Sequence, residues 1–409
     1  MTPGSARLSG PRIWLIWGIA LAAALWLAAT AVGGITQTGS PAVALALYPQ
    51  NGFAYQSRAA AESTQGDGSI QNMRISERTL ADALSALRRE PFATAALTLI
   101  GIARDRSGAH AEATDILALA HALDKRQLVA NAWLINRYGT GGRDREVLQL
   151  LDEALRIRPQ LTARYMPAFA QALQNPETIP AFQTLLHGGP AWEREFWNAV
   201  AATPAALPNA EVLRGRLLSG PLDISDTDTL LMKAFIDAGR MDLALSYGKS
   251  LPVLDEDRDN MVRNSSFSEM PRLPPLDWDL RSDGRISSAL DESRGTLEIS
   301  GLPGSGGTVA RQLLALPPGN YTLIVKLGQA SLSQGSEVSV HLYCAEKGAA
   351  NASLTERLSG DLDRPFVVPD AACRFYWLDI DFSALDSGDS ALATLAQVRI
   401  SRGRPPPAE

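Results

Sequence analysis

Twenty consecutive residues near the amino terminus, 13–32, carry no charged side chain and are almost all apolar. A helix of this length is about 30 Å long, which matches the hydrocarbon core of a bilayer. Arg7 and Arg12 precede the run, and the next basic residue along the chain is Arg58. Because basic residues near a span stay in the cytoplasm, we predict one membrane-spanning helix with the rest of the chain on the far side.

A cleaved signal peptide is the alternative for this segment. Residues 29–31, Ala-Thr-Ala, have the small-x-small pattern that signal peptidase accepts. However, the apolar run is longer than the roughly 7–15 residues of a signal-peptide core, and its three tryptophans are unusual there. Length therefore favours an uncleaved anchor, and both alternatives deliver the rest of the chain to the same side.

The composition limits the partners and the compartment. With 38 basic and 44 acidic residues the chain has a net charge of −6, so it lacks the basic surface that nucleic-acid binding requires, and no nucleic acid partner is expected. Arg is far more frequent than Lys, and Ala and Leu are abundant, as in high-GC bacteria. We therefore expect a single-pass protein of a bacterial inner membrane, with its body in the periplasm and at least two domains there.

Residues 41–255 show the apolar periodicity of helices, interrupted at intervals by Gly or Pro. Pro91 and Pro159 lie 68 residues apart, which is twice the 34-residue period of tetratricopeptide repeats. In that register, small residues occupy the expected helix contacts and turns: Gly101, Gly108, Ala113, Ala120, Gly142, Ala154, Gly239 and Ala244. The segment therefore resembles the tetratricopeptide-repeat family, although Leu97 and Asn131 replace the tryptophan of the first helix.

The resemblance implies a helical solenoid that recruits a protein partner through its concave face. Candidate residues for that face are Arg88, Arg89, Arg104, Arg137 and Tyr138. Ordinary solvated side chains would have the same composition, so the sequence does not identify the partner.

After about residue 263 the pattern changes to short runs that alternate apolar and polar residues. These runs are GTLEIS, TVARQL, YTLIVKL, EVSVHLYC, RFYWLDIDF and AQVRIS, and turn residues separate them. Such spacing is typical of the strands of a β-sandwich. In the last run, Ala396, Val398 and Ile400 are expected to face the core.

Three pieces of this part resemble jelly-roll modules of the galactose-binding-like type, which are often carbohydrate-binding domains. Residues 264–267 (NSSF) with Trp278 resemble the opening of such modules, and 316–321 (LPPGNY) resemble their turn into a central strand. The third piece is the closing strand, 398–400. These are core and turn residues, so the resemblance implies a fold and a possible glycan contact without indicating a particular ligand.

The predicted fold class is thus a multidomain α plus β protein: an N-terminal transmembrane helix, an all-α helical-repeat domain of the tetratricopeptide type and a C-terminal all-β jelly-roll sandwich. The predicted segments are a cytoplasmic tail (1–12), a transmembrane anchor (13–33), helical repeats (41–255), a β-sandwich (264–402) and a Pro-rich tail (403–409).

One predicted strand, 374–382, combines aromatic and acidic residues. Alternation places Tyr376, Leu378, Ile380 and Phe382 on the core face and Phe375, Trp377, Asp379 and Asp381 on the other. On a second strand, His341 and Tyr343 alternate away from the core. Because aromatic rings stack on sugars and carboxylates accept hydroxyl protons, we predict a ligand-binding surface formed by Trp377, Phe375, Tyr343, His341 and Asp379.

Other interpretations of these residues stay open. The aromatic rings would equally well cover the edge of the sandwich or pack against the helical domain. Asp379 and Asp381, about 7 Å apart as neighbours on one strand face, would also fit a glycoside hydrolase pair. Since no nucleophile, phosphate-loop or zinc motif accompanies them, we expect no catalytic residues, no cofactor and no metal. Residues 301–307 (GLPGSGG) are expected to form a flexible turn.

Cys344 and Cys373 are the two cysteines of the chain. Outside the cytoplasm such a pair predicts a disulfide. Strict alternation places Cys373 on the face of Phe375, opposite the core, so this disulfide requires an irregular start of the strand.

Together these features predict a membrane-anchored periplasmic scaffold or binding protein. Its helical repeats would recruit a protein and its sandwich would contact a glycan or a second protein, with cell-surface polysaccharide assembly or export as the expected setting. The alternatives are a purely structural protein–protein scaffold of an inner-membrane complex and a glycan hydrolase.

Overall fold

The computed structural model describes residues 10–63, 73–218, 224–251, 260–332, 335–346, 354–370, 373–385 and 391–403. The predicted fold class is confirmed, since one apolar N-terminal helix and a helical region precede a two-sheet antiparallel β-sandwich. The chain divides into two compact units, Met1–Leu161 and Thr162–Glu409. The domain limits drawn from the sequence stay predictions, and most of both predicted tails (1–9 and 404–409) lies outside the described residues.

The described part of the first unit is helical throughout. Its helices are α1 (Gly10–Thr36), α2 (Pro41–Leu47), α3 (Gly52–Ser63), α4 (Glu77–Arg89), α5 (Thr94–Arg106), α6 (His110–Leu123), α7 (Leu128–Thr140) and α8 (Asp144–Ile157). In α1, Trp14–Thr36 has a mean hydropathy of 2.1, and no residue of its most apolar stretch is buried. This helix is long and apolar enough to cross a membrane, and an anchor and a signal sequence both have these properties.

The pairs α5/α6 and α7/α8 follow the predicted register. Helix α7 begins 34 residues after α5, and α8 begins 34 residues after α6. Gly101 lies where α5 meets α6, because a Cβ added there would be 2.6 Å from Leu117 Cγ. Gly108 and Gly142 follow helix ends with φ of 87° and 68°, a left-handed conformation that favours glycine. Membership of the tetratricopeptide family stays a prediction.

The second unit begins with helices α9 (Thr162–Ala172), α10 (Ile179–His187), α11 (Glu193–Ala201), α12 (Leu207–Leu217), α13 (Asp226–Asp237) and α14 (Met241–Ser250). Aromatic rings of Phe169, Phe182, Trp192, Phe196 and Trp197 pack together in their core. Between α12 and α13, Arg214 and the buried Asp228 form an ion pair of 2.8 Å. Tyr247 of α14 donates a hydrogen bond to the same carboxylate, so one acidic side chain joins three helices.

Within the described residues, ten strands form the sandwich: β1 (Asp279–Leu280), β2 (Ile286–Asp291), β3 (Thr296–Gly301), β4 (Gly306–Ala315), β5 (Gly319–Ser331), β6 (Glu337–Cys344), β7 (Leu354–Arg357), β8 (Leu362–Val368), β9 (Phe375–Ser383) and β10 (Ala391–Arg402). One sheet has the order β1-β4-β9-β6-β7 and the other has the order β2-β3-β10-β5-β8. Residues 302–305 connect β3 and β4, so the turn predicted for residues 301–307 is present but shorter, because Gly301 ends β3 and Gly306 begins β4.

The core between the sheets confirms most of the predicted alternation. Tyr376, Leu378, Ile380 and Phe382 of β9 are all buried in it. The prediction for Ala396 was wrong, because irregularities on both sides of Leu395 interrupt the register of β10 with β5. Leu395 is fully buried and Ala396 is only half-buried, as expected where a bulge breaks the alternation.

The segments that resemble a jelly-roll module have structural contacts. Trp278 is buried, its ring centroid lies 5.5 Å from that of Phe267, and its Nε1 donates to the Asn264 carbonyl at 3.1 Å. Tyr321 Oη donates to the Pro317 carbonyl at 2.7 Å, which closes the turn into β5. These residues stabilise the sandwich.

The predicted disulfide between Cys344 and Cys373 is present, with a Cα–Cα distance of 6.0 Å. Cys344 ends β6 on the core-facing side, whereas Cys373 precedes β9, which begins at Phe375. Because Cys373 lies outside the regular strand, it escapes the alternation and points to the core. The irregular strand start expected from the sequence is therefore confirmed.

Candidate functional site

The face of the sheet β1-β4-β9-β6-β7 that points away from the core carries the predicted site residues. Tyr343 of β6 is the cross-strand partner of Trp377, and His341 is the partner of Asp379. On the other side of β9, Arg311 of β4 is also opposite Asp379. Since opposite residues in an antiparallel pair share a face, these side chains form one surface, here called the Trp377 face. It consists of Arg311, Ser339, His341, Tyr343, Phe375, Trp377, Asp379 and Asp381.

An ion pair lies at the centre of this face. Arg311 Nε donates to Asp379 Oδ1 at 2.9 Å, and Arg311 Nη2 donates to Oδ2 at 2.7 Å. Tyr343 Oη donates to Asp379 Oδ2 at 2.9 Å. The hydrogen bond with Asp379 raises the pKa of Arg311 above its ordinary value. Burial and the nearby negative charge of Asp379 raise the pKa of Tyr343 to about 12, so its hydroxyl stays protonated.

These contacts give the predicted residues unequal access to solvent. Asp379 is only 3% exposed, and both of its oxygens accept hydrogen bonds from protein groups. Its geometry suits holding Arg311 and Tyr343 in place better than touching a ligand directly. His341, Tyr343, Phe375 and Trp377 are each half-buried, so part of each side chain is accessible. That these residues bind a ligand stays a prediction.

One face of the Trp377 ring is in contact with the side chain of Arg311. That ring lies 4.8 Å from Arg311 Cζ, measured to the centroid, which is the geometry of a cation–π contact. Among the described residues, Trp377 lies outside the buried core of the sandwich. Phe375 lies two residues earlier on the same face, with Arg374 Cζ 5.2 Å from its ring centroid. Aromatic area and hydrogen-bonding groups therefore lie side by side on this sheet.

A second polar group borders the ion pair. His341 Nε2 lies 3.0 Å from Ser339 Oγ and 3.4 Å from Asp381 Oδ2, while Nδ1 lies 3.1 Å from Thr355 Oγ1. The other oxygen, Asp381 Oδ1, is buried and has no hydrogen-bond partner within the described part of the chain. The side chain of Asp381 is 35% exposed, so it is the more accessible of the two carboxylates on β9.

Sequence reasoning did not include Arg311 in the site. Its run, TVARQL, was recognised as a strand, and alternation makes Arg311 a lone charge on it. The pairing of β4 with β9 joins residues 68 positions apart, and no local pattern indicates such a pairing. Alternation placed Asp381 on the correct face beside Asp379, but Asp381 was not among the residues predicted to bind the ligand and was otherwise considered as half of a hydrolase pair.

The structure offers limited means of holding a metal. Among the described residues, Cys344, Glu346 and Cys373 form the one group of ligand-type side chains close enough to share an ion. The two sulfurs are joined in the disulfide, which leaves Glu346 as the single ionisable ligand of this group.

In the first unit, two of the predicted solenoid-face residues line a depression. Arg137 and Tyr138 of α7 lie there with Asp115 of α6 and with Arg143. Arg143 Cζ lies 4.2 Å from the centroid of the Tyr138 ring. The other candidates lie elsewhere, since Arg89 stacks on Tyr55 and Arg104 pairs with Glu112.

No family profile and no curated protein matches this chain. Three solved structures are similar to its C-terminal sandwich, and all three are carbohydrate-binding modules. A structure described as "CBM4 structure and function" is 17% identical, with a TM-score of 0.25, and the match covers 35% of this chain and 99% of that one. The CBM22-1 xylan-binding domain of Xyn10C from Paenibacillus barcinonensis is 9% identical, with a TM-score of 0.25 and coverage of 34% and 93%. A family 16 carbohydrate-binding module is 14% identical, with a TM-score of 0.19 and coverage of 26% and 77%.

Proposed function

We propose that this protein is a membrane-anchored periplasmic binding protein whose sandwich binds a glycan on the Trp377 face. Its helical repeats recruit a protein partner, and the two activities together serve the assembly or export of a cell-surface polysaccharide. The proposed activity is binding without catalysis. The alternative is a structural scaffold in which both parts bind protein.

The observation that carries the proposal is the cross-strand pair Trp377 and Tyr343 beside the Arg311–Asp379 ion pair. A sugar ring presents an apolar face to an aromatic ring and hydroxyl groups to its neighbours. Trp377 and Tyr343 supply partly exposed aromatic area, while Arg311 and Asp381 supply a donor and an acceptor at the same surface. Because Asp379 fixes Arg311 and Tyr343, little conformational entropy would be lost when a ligand binds.

The same ion pair supports binding rather than hydrolysis. A glycosidase needs two carboxylates that are free to exchange a proton and attack the sugar. Asp379 is buried and accepts two hydrogen bonds from Arg311 and one from Tyr343, so its oxygens are already occupied by protein groups.

One feature supports an uncleaved anchor, and another supports a periplasmic body. The possible cleavage site, residues 29–31, lies inside the continuous helix α1, and Ala29 and Thr30 are half-buried rather than exposed and extended. The disulfide of the sandwich favours an oxidising compartment, which agrees with a periplasmic body. For the helical repeats, the depression beside Arg137 and Tyr138 is the surface that we assign to a protein partner.

The test is polysaccharide binding by the full-length, detergent-solubilised protein. The probes are immobilised bacterial exopolysaccharides and neutral β-glucans, compared for wild type, Trp377→Ala and Val367→Ala. Loss of one stacked ring costs about 1 kcal/mol, so Trp377→Ala should weaken binding roughly fivefold. Val367 is exposed on the other sheet, and its variant should bind like wild type.

Circular dichroism and the disulfide content verify that both variants are folded. A folded Trp377→Ala protein with wild-type affinity would remove this site. A wild-type protein that binds none of the polysaccharides would favour the protein–protein scaffold.

A further inference from the structure

The absence of charge extends well beyond the apolar run that predicts the anchor. From residue 13 to residue 57 the chain contains no Asp, Glu, Lys or Arg. This stretch includes α1 from residue 13 onward, all of α2 and the first half of α3. A soluble domain seldom leaves so long a stretch of its own surface without charge, since the exposed side of a surface helix is normally polar.

Helix α2 folds back against the end of α1. Gly33 is buried there, and a Cβ added to it would lie 3.2 Å from Tyr48 Cβ, just beyond α2. Asn51 Nδ2 donates to the Gly33 carbonyl at 3.1 Å, and Asn51 Oδ1 accepts from the Ala54 amide at 3.0 Å. Asn51 is itself buried. One side chain therefore ties the last turns of α1 to the beginning of α3, with α2 held between them.

This packing fixes the depth of α2 relative to a bilayer. If the span begins at Trp14, twenty residues of helix, about 30 Å, end at Gly33. Helix α2 lies beside that point, at the boundary between hydrocarbon and headgroups. Its sequence, PAVALAL, contains no polar side chain. Ala44 and Leu45 are buried, while Val43 and Leu47, one turn apart, are 50% and 45% exposed.

We propose that α2 rests in the outer interface of the membrane, with Val43 and Leu47 in contact with lipid. This inference relies on the anchor in the proposed function and goes beyond it. Ile35, near the end of α1, is 82% exposed, and α2 packs against that end of α1, so the lipid that surrounds α1 is the nearest occupant for the exposed Val43 and Leu47. Tyr48, half-buried at the end of α2, has the amphipathic ring that is enriched at this level.

The consequence is that the first unit has a fixed orientation relative to the membrane. A protein held only by a flexible linker would rotate about its anchor. Here α1, α2 and α3 form one hydrogen-bonded corner, and two adjacent elements of that corner contact lipid. The helical repeats that follow would therefore keep one orientation toward the bilayer.

The experiment is spin labelling of the full-length protein in liposomes of phosphatidylethanolamine and phosphatidylglycerol. Both native cysteines are in the disulfide, so a single introduced cysteine is the only free thiol. Val43→Cys and Leu47→Cys report on α2. Leu25→Cys, exposed on α1, is the lipid control, and Leu84→Cys, exposed on α4 to 43%, is the water control. Collision of each label with oxygen and with a water-soluble nickel chelate is measured.

We expect the α2 labels to lie between the two controls: they should collide with oxygen less than the Leu25 label, which is near the middle of the span, and with nickel several-fold less than the Leu84 label. Nickel accessibility equal to that of Leu84 would overturn the inference. An immobile label shielded from both reagents would also overturn it and would indicate that protein covers α2. A Leu25 label that does not lie in lipid would instead show that the anchor itself is wrong, which separates failure of the proposed function from failure of this inference.

Discussion

Arg311 and Asp379 face each other across β4 and β9 and form two hydrogen bonds, at 2.9 and 2.7 Å, on the face of the sheet that points away from the core. Their side chains are 23% and 5% exposed, so the carboxylate is almost fully removed from water. The same carboxylate accepts from Tyr343, and the same guanidinium stacks on Trp377. The pair thus contacts two of the three aromatic residues of the Trp377 face, Tyr343 and Trp377.

Replacing Arg311 should be far more costly than replacing an exposed arginine of the same sheet. Arg311→Leu leaves the buried charge of Asp379 uncompensated, and we expect a loss of about 3 kcal/mol at neutral pH, the lower end for a buried pair because water reaches the guanidinium. Arg357→Leu removes an ion pair with Glu337 in which Arg357 is 78% exposed, and should cost no more than about 1 kcal/mol. Urea unfolding followed by tryptophan fluorescence measures both.

A double variant tests the cause of that loss. Arg311→Leu with Asp379→Leu removes both charges and should regain much of the lost stability. If it is less stable than Arg311→Leu alone, the uncompensated charge is not the reason for the destabilisation.

The sequence could predict those features of the sandwich that depend on local patterns. The two faces of β9 follow from strict alternation, and the disulfide follows from the presence of two cysteines in an oxidising compartment. The strands β1, β2, β7 and β8 were not recognised, and each lies at an edge of its sheet. Edge strands are short or irregular, and β8 contains Pro365, which is tolerated only there.

The centre of the candidate site could be predicted only in part. Asp379, Trp377 and Tyr343 were found because each alternates with the apolar core residues of its own strand and so lies on the opposite face. Their partner Arg311 became apparent only from the strand order, which arises from pairing between distant segments. For the same reason the sequence could not show that Asp379 is buried in an ion pair while Asp381 is more exposed.

The surroundings of two helical glycines, Gly101 in α5 and Gly139 in α7, predict opposite effects of substitution by alanine. A Cβ at Gly101 would lie 2.6 Å from Leu117 Cγ, so Gly101→Ala should overpack the interface and cost about 1–3 kcal/mol. Gly139 of α7 has open space, with Val147 Cγ2 at 4.0 Å, and Gly139→Ala should gain up to about 1 kcal/mol from helix propensity. The measurement is thermal unfolding followed by far-ultraviolet circular dichroism. Equal effects at the two positions would contradict the assigned register.

The disulfide should contribute substantially to the stability of the sandwich. Cys344 and Cys373 are 29 residues apart, and closing a loop of that size is worth about 3–4 kcal/mol in the chain-entropy model. We expect the variant with alanine at both positions, and the wild type unfolded with a reductant present, to lose a similar amount of unfolding free energy. Alkylation followed by mass spectrometry of the periplasmic protein checks the bond itself. Free thiols at both positions in that fraction would disprove it in the cell.

The buried carboxylate of Asp228 predicts acid sensitivity of the helices in the second unit. Burial by itself raises its pKa, but hydrogen bonds from Arg214, Tyr247 and the Ser225 amide outweigh burial, so the net pKa is lowered below its ordinary value of 3.8. A lowered pKa in the folded state means that the stabilisation is fully present above the unfolded-state value and is lost as the pH falls through the folded-state value. We therefore expect a constant contribution from pH 7 to about 5 and a steep loss below about 4.

Asp228→Asn tests this pH dependence. It leaves the partly buried Arg214 without its ion pair, so it should cost about 3 kcal/mol at pH 7 and should flatten the acid limb of the stability curve. Asp237→Asn, at an exposed ion pair with Lys233, is the matched control and should leave the curve unchanged. An Asp228→Asn protein that loses stability in acid as steeply as wild type would show that other carboxylates cause the effect.

The charge distribution around α1 predicts the topology of the whole chain. Arg7 and Arg12 precede the apolar run and no basic residue follows until Arg58, so the amino terminus should be cytoplasmic and the body periplasmic. Alkaline phosphatase, which needs an oxidising compartment to form its disulfides, should be active when it is fused after α3 at Ser63. A fluorescent protein that matures only in the cytoplasm should be silent at the same position.

The protein should remain in the membrane fraction with its intact mass, because an anchor is retained and a signal peptide is removed. Cytoplasmic reporter activity would reverse the topology, whereas a soluble protein shortened at Ala31 would identify the apolar run as a signal peptide.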